Sequence, residues 1–433
     1  MFADLSSNPL RYEDRERSVL VRLSCAIERE ARTLARNRRF SRAVALRLIS
    51  PARMLLFLWV AIRCDVFVYA YAGSITYHPE SEYRILRWLK RRLIFSFHGS
   101  DSRAPYLGHP GLLGPNATDF AECAKLTAEI KSRLRLIQKY ADVIVENPFS
   151  AHLQVVPCVN AQALGNPSPE TAQNSIPPRT AGAPVRILHT PSDPALKGSD
   201  VIRAAVKEVK ARGRNVELVE LTGRPHADVI EELKRCDFVV DQAYSDTPMA
   251  LFATEAAALG KAAVVGGYIT PSQMAANVAS EWLPPTLYCH PKEMVEVIDR
   301  LCLDEALRTR LGDEARAFVR RQRNRREVAR RFLSVARNEI PADWWFDPLK
   351  IEYVHGLGEE QHIRRLIRGT VDHGGVSALQ LDDSPDVRTR MLAFAGIAVA
   401  HGVGGNRPSA THLEVGTPAA SDLTYSKQDA ATG

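Results

Sequence analysis

The sequence lacks the cysteine spacings that hold metals or cross-link small folds. Its seven cysteines are scattered over 433 residues, their number is odd, and no two of them form a CxxC pair. Such a pattern is poor for a zinc site and poor for a disulfide framework. We therefore expect mostly buried, reduced thiols, no metal site and a reducing compartment.

Long hydrophobic runs are also missing. The most apolar segment, residues 54–62 (MLLFLWVAI), stops at Arg63, whereas a membrane-spanning helix needs about 20 apolar residues. Residues 1–8 are polar and do not resemble a signal peptide. These features predict a cytoplasmic protein in which residues 54–62 form a buried core element that leads into a strand.

Acidic residues are fewer than basic ones, with 50 Asp and Glu against 57 Lys and Arg and a formal net charge of +7. A basic balance favours an anionic partner. Nine arginines lie between Arg22 and Arg53, which suits peripheral contact with the inner face of a membrane or with a lipid-linked acceptor. The alternative is a solvated helical face that covers the first sheet. Nucleic acid fits less well, because Phe40 is the only aromatic residue that we find interleaved with the basic residues.

Short apolar runs alternate with helical patterns along most of the chain, which is typical of parallel β-α-β units. The apolar runs are residues 66–71, 93–97, 143–146, 185–188, 216–221, 238–241 and 262–265. Between the third and fourth runs lies a segment rich in Pro, Ser, Thr and Gly without periodicity, which indicates a domain boundary. The predicted organisation is a first α/β domain, a linker, a second α/β domain, a helical extension and a disordered tail, at residues 1–164, 165–184, 185–340, 341–400 and 401–433.

The first candidate site follows the strand at residues 93–97. His98, Ser100, Asp101 and Arg103 cluster there, with Gly99 between them. Ligands of doubly wound sheets bind beyond the carboxyl ends of strands, and a histidine there can bind a sugar hydroxyl or phosphate or transfer a proton. The alternative is a helix-capping turn with a hydrogen-bonded histidine.

The second candidate site joins the strand at residues 185–188 to the next helix. Lys197 and Gly198 stand just before the expected helix start, where Ser199 is expected to act as the cap, and Ser192 lies earlier in the loop. Helix amino termini attract anions, so a lysine at this point suits a diphosphate. The Walker A pattern is absent. An ordinary loop with an exposed lysine is the alternative.

The third candidate site comprises Asp246, Thr247 and Glu255. Glu255 lies in an Ala-rich segment, so its carboxylate needs a partner, either a ribose diol or an Arg or Lys of the same chain. His226 and His290 are further candidates in predicted loops beyond strands, with an unremarkable surface histidine as the alternative for each.

Five segments in this order resemble the GT-B-fold glycosyltransferases, specifically the retaining family-4 type. They are FSFHGSDSR, KYADVIVENP, VRILHTPSDPALKGSD, LKRCDFVVDQ and FATEAAALGKAAVV, at residues 95–103, 139–148, 185–200, 233–242 and 252–265. The resemblance implies two Rossmann-like domains with parallel sheets that face each other across a cleft. It implies an acceptor-side domain at residues 1–164 and a nucleotide-sugar-binding domain at residues 185–340. It also implies that His98 lies near the transferred sugar, Lys197 on the donor diphosphate, and Glu255 on the nucleotide ribose.

The sequence departs from that family's pattern in three features. The first Glu of its Glu-x7-Glu motif corresponds to Thr247, with Asp246 beside it, and Pro191 and Ser192 stand where an Arg is usual. The first strand and Gly-rich loop of the acceptor half are not evident before residue 60.

Hexose transfer from a nucleotide diphosphate sugar to a glycan, lipid or small acceptor is the function that the resemblance implies, with retention and without metal or other cofactor. Polysaccharide assembly is a setting suggested by analogy. Two alternatives stay open: a nucleotide-binding or regulatory protein that has lost turnover, and a sugar-nucleotide epimerase on the same fold.

Overall fold

The computed structural model describes residues 42–71, 73–108, 119–168 and 182–398, with side chains from Pro51 onward. Most of the arginine-rich stretch between Arg22 and Arg53, most of the predicted linker and the predicted tail at 401–433 lie outside the described residues. The described part of the chain up to Ala398 belongs to one compact unit that contains two five-stranded sheets.

The first sheet has the strand order β1-β2-β3-β4-β10 and is parallel except for β10. Its elements in the first half of the chain are α1 (Arg42–Arg63), β1 (Val66–Ala70), α2 (Pro79–Trp88), β2 (Arg92–Ser96), α3 (Phe120–Tyr140), β3 (Val143–Glu146), β4 (Cys158–Asn160) and α4 (Ala161–Leu164). The central strands are apolar and buried on both faces, as parallel strands covered by helices must be.

The second sheet has the strand order β6-β5-β7-β8-β9 and is parallel throughout its described pairs. Its elements are β5 (Val185–His189), α5 (Pro194–Lys197), α6 (Ser199–Ala211), β6 (Val216–Glu220), α7 (His226–Arg235), β7 (Phe238–Gln242), α8 (Leu251–Ala258), β8 (Ala262–Gly266), α9 (Pro271–Asn277) and β9 (Leu287–Cys289). Helix α6 buries Ile202, Ala205, Val206 and Val209 on one face, the face that its 3.6-residue period predicts.

The chain then returns to the first sheet. Helices α10 (Met294–Leu303), α11 (Glu305–Gln322) and α12 (Arg325–Arg337) precede β10 (Trp345–Phe346), and α13 (Glu360–Gly374) and α14 (Pro385–Phe394) follow it. Strand β10 pairs antiparallel with β4, so residues beyond the second sheet complete the first one. The predicted α/β architecture built on two mainly parallel sheets is confirmed.

The apolar segment at residues 54–62 forms the end of α1, and it is only partly the buried element that the sequence predicts. Leu56, Phe57, Val60 and Ala61 are buried, whereas Leu55 and Ile62 are 62% and 76% exposed. The difference arises because the side chains of a helix point in all directions around its axis. Only those on one side of the apolar run can face the sheet. Within the described ranges, no helix is both long and apolar enough to cross a membrane.

Candidate functional site

The two halves meet where strands of both sheets end. The loop of residues 98–103 follows β2, Asn147 follows β3, and Asp246 lies just beyond β7. Arg103 donates to Asp246 Oδ2 through both Nε, at 3.0 Å, and Nη2, and each side chain is only 9% exposed. Asn147 Nδ2 donates to the Asp246 carbonyl oxygen at 2.9 Å. The junction therefore lies at the carboxyl ends of the strands, the position at which α/β sheets bind ligands.

His98 and Asp101 are brought together as the sequence predicts. The backbone N–H of His98 donates to Asp101 Oδ1 at 2.9 Å, and the imidazole stacks on the Tyr71 ring at a centroid distance of 4.6 Å. Partial burial of the imidazole lowers the pKa of His98 below its usual value, against the attraction of the Asp101 charge. The ring is thus mainly neutral at pH 7 and can accept a proton or a hydrogen bond. Ser100, next in the loop, is exposed.

Gly99 allows this loop to fold back on itself. Its φ is +116°, and a Cβ there would lie 3.0 Å from Arg103 Nη2. The absence of a side chain at residue 99 therefore lets the guanidinium of Arg103 pack against the turn and point toward Asp246.

A carboxyl that the sequence reasoning missed, Glu146, ends β3 beside this loop. It is fully buried and accepts hydrogen bonds from Asn147 N at 3.0 Å, Ser150 Oγ at 3.3 Å and Gln154 Nε2 at 3.4 Å. Burial, with a smaller contribution from the Asp101 charge, raises the pKa of Glu146 to about 8. The sequence does contain a signal for this site, because Glu146 is an acidic residue at the carboxyl end of the apolar run VIVE, which is predicted to be a parallel strand.

Lys197 ends the short helix α5, which Asp193 caps by accepting from Ala195 N and Leu196 N. Gly198 follows with φ +66°, and α6 begins at once. The expectation that Ser199 caps α6 is wrong, because Gly198 is the capping residue and the Ser199 hydroxyl lies 2.8 Å from His189 Nε2 instead. The amino terminus of α6 therefore has no side-chain cap, and Lys197 stands directly before it.

The second half also contains two polar residues at the end of β7 that sequence reasoning left without a role. Gln242 Oε1 accepts from Lys197 Nζ. Asp241 is 3% exposed and its Oδ2 has no hydrogen-bond partner. Desolvation raises the pKa of the Asp241 carboxyl, while the Lys197 and His189 charges lower it. The lysine is thereby held among polar side chains at the strand ends.

Glu255 is paired with a histidine and with neither an arginine nor a lysine. Its Oε1 lies 2.8 Å from His226 Nε2, and the Glu255 side chain is 8% exposed against 48% for His226. Burial raises the pKa of Glu255, and the hydrogen bond from His226 opposes that shift. His226 was expected in a loop, but it is the first residue of α7, because Pro225 sets the backbone for a helix start.

The remaining predicted residues lie around the same strand ends with other contacts. Thr247 Oγ1 accepts from Gln162 Nε2 of the first half at 3.0 Å. His290 follows β9, where its Nδ1 accepts from Lys292 N at 3.2 Å. Ser192 is exposed in the loop after β5, beside the buried Pro191. The described residues contain no group of three or more His, Cys, Asp or Glu side chains that could hold a metal ion.

No protein-family model matches the chain, and no protein of curated function does. Among solved structures, the chain is similar to HepE from Anabaena in complex with UDP-glucose, at 13% identity and a TM-score of 0.39, covering 66% of this chain and 82% of HepE. It is also similar to the catalytic domain of starch synthase IV from Arabidopsis thaliana bound to ADP and acarbose, at 10% identity and a TM-score of 0.40, covering 69% and 78%. A third match is MurG from Acinetobacter baumannii, at 14% identity and a TM-score of 0.33, covering 68% and 79%. At such identities and scores, function has to be argued from the chain's own residues.

Proposed function

We propose that this protein transfers a hexose from a nucleotide diphosphate sugar to a hydroxyl of a glycan, lipid or small acceptor, with the reaction at the junction between the two sheets. The observation that carries the proposal is that Lys197 and Gly198 directly precede the start of α6, which has no side-chain cap, at the carboxyl edge of the second sheet. A lysine ammonium and free helix N–H groups are a suitable site for a diphosphate.

We place the nucleotide along the second sheet. Glu255 lies in the helix after β7, with a buried carboxylate whose partner, His226, is half exposed. A ribose diol that donates to Glu255 would replace or share this contact, as an acidic residue does in dinucleotide folds. We assign the diphosphate to Lys197 and Gly198 and the ribose to Glu255, with Asp246 and Thr247 at the side of the donor that faces the first half.

We place the acceptor and the transferred sugar on the first half. His98 is neutral and partly exposed, and its backbone is fixed by Asp101. In the reaction, the bond between the anomeric carbon and the diphosphate oxygen breaks, and its electron pair stays on the diphosphate. The acceptor oxygen forms the new bond on the same face of the sugar, and its proton passes to the leaving diphosphate. His98 binds a hydroxyl of the sugar and orients it for this step.

Lys197 supports the bond-breaking step electrostatically. Negative charge grows on the leaving diphosphate, so a fixed ammonium and helix N–H groups stabilise the transition state more than the ground state. This stabilisation needs no metal, and we propose a metal-independent reaction with retention of configuration.

A protein that binds the nucleotide without turnover is the second candidate. Thr247 stands where the resembling family has its first Glu, and its hydroxyl is hydrogen-bonded to Gln162. Asp246 is likewise bound to Arg103 of the first half. Both side chains thus already have hydrogen-bond partners in the first half of the chain. Binding of a nucleotide sugar without hydrolysis or transfer would favour this candidate.

Thermal unfolding with UDP, GDP, ADP and their hexose conjugates tests the proposal. A nucleotide at 100 times its Kd should add about 2.7 kcal/mol of stability. We expect one base to give this effect in the natural protein, and Lys197→Ala to lose it. Lys207→Ala is the matched control, because Lys207 is an exposed lysine within α6, the helix that Lys197 precedes. The sugar conjugate of that base is then used in a transfer assay. A folded protein that none of the nucleotides stabilises would contradict the proposed function.

A further inference from the structure

Helix α1 presents a row of apolar side chains to solvent. Leu55, Leu58 and Ile62 are 62%, 47% and 76% exposed. Their spacing of three and four residues places them on one side of the helix, whereas Phe57 and Val60 lie on the opposite side and are buried. Single exposed apolar residues need no explanation, but several large ones in a row indicate an interaction surface.

The row ends beside the carboxyl end of α2. Trp88, the last residue of α2, is 79% exposed. Three residues later, Arg91 donates through Nε to the Ala61 carbonyl oxygen at 3.1 Å and through Nη2 to the Ile62 carbonyl oxygen at 3.4 Å. The ends of the two helices are therefore joined, and exposed apolar side chains project from both. We call four residues the α1 surface: Leu55, Leu58, Ile62 and Trp88.

The charge around the α1 surface is mainly of one sign. Residues 31–64, which contain α1, include eight arginines and no Asp or Glu. Arg63, at the end of α1, and Lys90, just after α2, are both exposed. Asp65, the first acid after the arginine-rich stretch, is paired with Arg91. The α1 surface therefore combines aliphatic side chains with an excess of positive charge.

This combination selects among the partners that could cover an apolar helix side. A second copy of the chain would bring one arginine-rich segment against another, and like charges repel. Nucleic acid suits the positive charge, but surfaces that bind it use aromatic rings to stack on bases, and a row of leucine and isoleucine has no such use. An anionic lipid bilayer accepts both parts, the apolar side chains among its acyl chains and the arginines at its phosphates.

We propose that the α1 surface docks on an anionic lipid bilayer, with Leu55, Leu58 and Ile62 in the boundary between headgroups and acyl chains. Trp88 lies at the headgroup level, the depth that tryptophan favours. The basic side chains around the surface bind lipid phosphates. The helix lies on the bilayer and does not cross it.

The position of the α1 surface in the fold keeps the junction between the two sheets accessible. Ile62 precedes the amino end of β1, and Trp88 precedes the amino end of β2. The pair of Arg103 and Asp246 lies beyond the carboxyl ends of strands, at the opposite edge of the first sheet. Docking on lipid therefore leaves nucleotide binding unchanged, and it does not depend on the proposed function.

Co-sedimentation of the full chain with lipid vesicles tests the proposal. The vesicles are phosphatidylcholine alone, or phosphatidylcholine mixed with phosphatidylglycerol in equal parts. We expect the natural protein to bind the mixed vesicles, to bind the neutral ones weakly, and to lose binding as salt is added. The double variant Leu55→Ser with Ile62→Ser should bind the mixed vesicles at least about tenfold more weakly, because two large apolar side chains are no longer transferred out of water.

The matched control changes two exposed leucines of the second half. Leu303 on α10 and Leu333 on α12 are 61% and 52% exposed. The double variant Leu303→Ser with Leu333→Ser loses similar apolar surface and should bind vesicles like the natural protein. Thermal unfolding should give every variant the melting temperature of the natural protein, because the changed side chains are exposed. Where the variant of α1 does not fold, Trp88→Ala provides the same comparison with the control.

Three results would overturn the proposal. The natural protein could fail to bind the mixed vesicles, or the variant of α1 could bind them as tightly as the natural protein. The third result is a dimer of the natural protein in size-exclusion chromatography that the variant of α1 converts to a monomer, because a second copy would then cover the surface. Loss of nucleotide binding is measured separately and would contradict only the proposed function.

Discussion

Arg103 and Asp246 form a buried ion pair that joins the two halves of the molecule, although 143 residues separate them in the sequence. Both side chains are 9% exposed, and Asn147 adds a hydrogen bond to the Asp246 backbone. Breaking a buried pair by removing one partner typically costs about 3–5 kcal/mol, because the remaining charge is left without compensation. The pair therefore holds the junction at which we place the reaction.

Removal of either member of this pair should destabilise the protein strongly. We expect Arg103→Gln and Asp246→Asn each to lower the free energy of unfolding by about 3 kcal/mol, and the double variant to lose much less than the sum. Denaturant unfolding of the three variants measures this coupling. Additive losses would mean that the two side chains do not interact, and would contradict the buried ion pair at the junction between the two halves.

Gly198 should not tolerate a side chain. Its φ is +66°, and a Cβ would lie 2.7 Å from the Ala243 Cβ and 2.9 Å from the Tyr244 ring. Gly213→Ala is a matched control, because Gly213 has φ +83° with nothing within 4 Å of a Cβ. Both changes incur about 1–2 kcal/mol of backbone strain, and Gly198→Ala should cost more and also weaken nucleotide binding. Equal losses of stability in the two variants, measured by denaturant unfolding, would show that the packing of residue 198 against Ala243 and Tyr244 is not tight.

Glu255→Gln should weaken nucleotide binding with little effect on folding. A hydrogen bond between a charged group and a ribose hydroxyl contributes about 1.5–3 kcal/mol, so affinity should fall at least tenfold. Glu231→Gln, at an exposed position of α7, is the control. Titration calorimetry measures both affinities. An unchanged Kd in Glu255→Gln would remove this residue from the ribose site and leave the pair with His226 as a structural contact.

His152 should make the protein sensitive to acid. It is 1% exposed, its Nδ1 has no hydrogen-bond partner, and burial lowers its pKa to about 4. The unfolded chain binds a proton near the ordinary histidine pKa of about 6.5. Stability should therefore fall as the pH drops from about 6.5 to 4, by about 3 kcal/mol in total.

Urea unfolding of the natural protein and of His152→Gln across this range tests that expectation. The variant has no imidazole to protonate, so its stability should fall less over the same range. Parallel profiles would show that His152 does not contribute to the acid sensitivity.

The sequence predicts the central strands well because their signal is local. Residues 143–146 and 238–241 are continuous apolar runs, and they form β3 and most of β7. Strands β4, β9 and β10 have only two or three residues each, so no periodic pattern distinguishes them, and only pairing with neighbours makes them strands.

The same difference between local and long-range signals explains which parts of the candidate site the sequence predicts. The clustering of His98 with Asp101 and of Lys197 with Gly198 follows from adjacency in the sequence. The contacts between Arg103 and Asp246, and between His226 and Glu255, depend on how separate elements pack, and sequence patterns do not encode that packing. Glu146 was missed because an acid at the end of a buried strand becomes notable only once its burial and its neighbour Asp101 are known.

The most direct test of the central claim is titration calorimetry of the natural protein with the nucleoside diphosphate that stabilises it, beside Lys197→Ala and Lys207→Ala. If the diphosphate lies between Lys197 and the start of α6, Lys197→Ala should lower the affinity at least tenfold, and Lys207→Ala should bind like the natural protein. Equal affinities in all three proteins would show that the diphosphate does not lie there, and would contradict the donor site proposed for this chain.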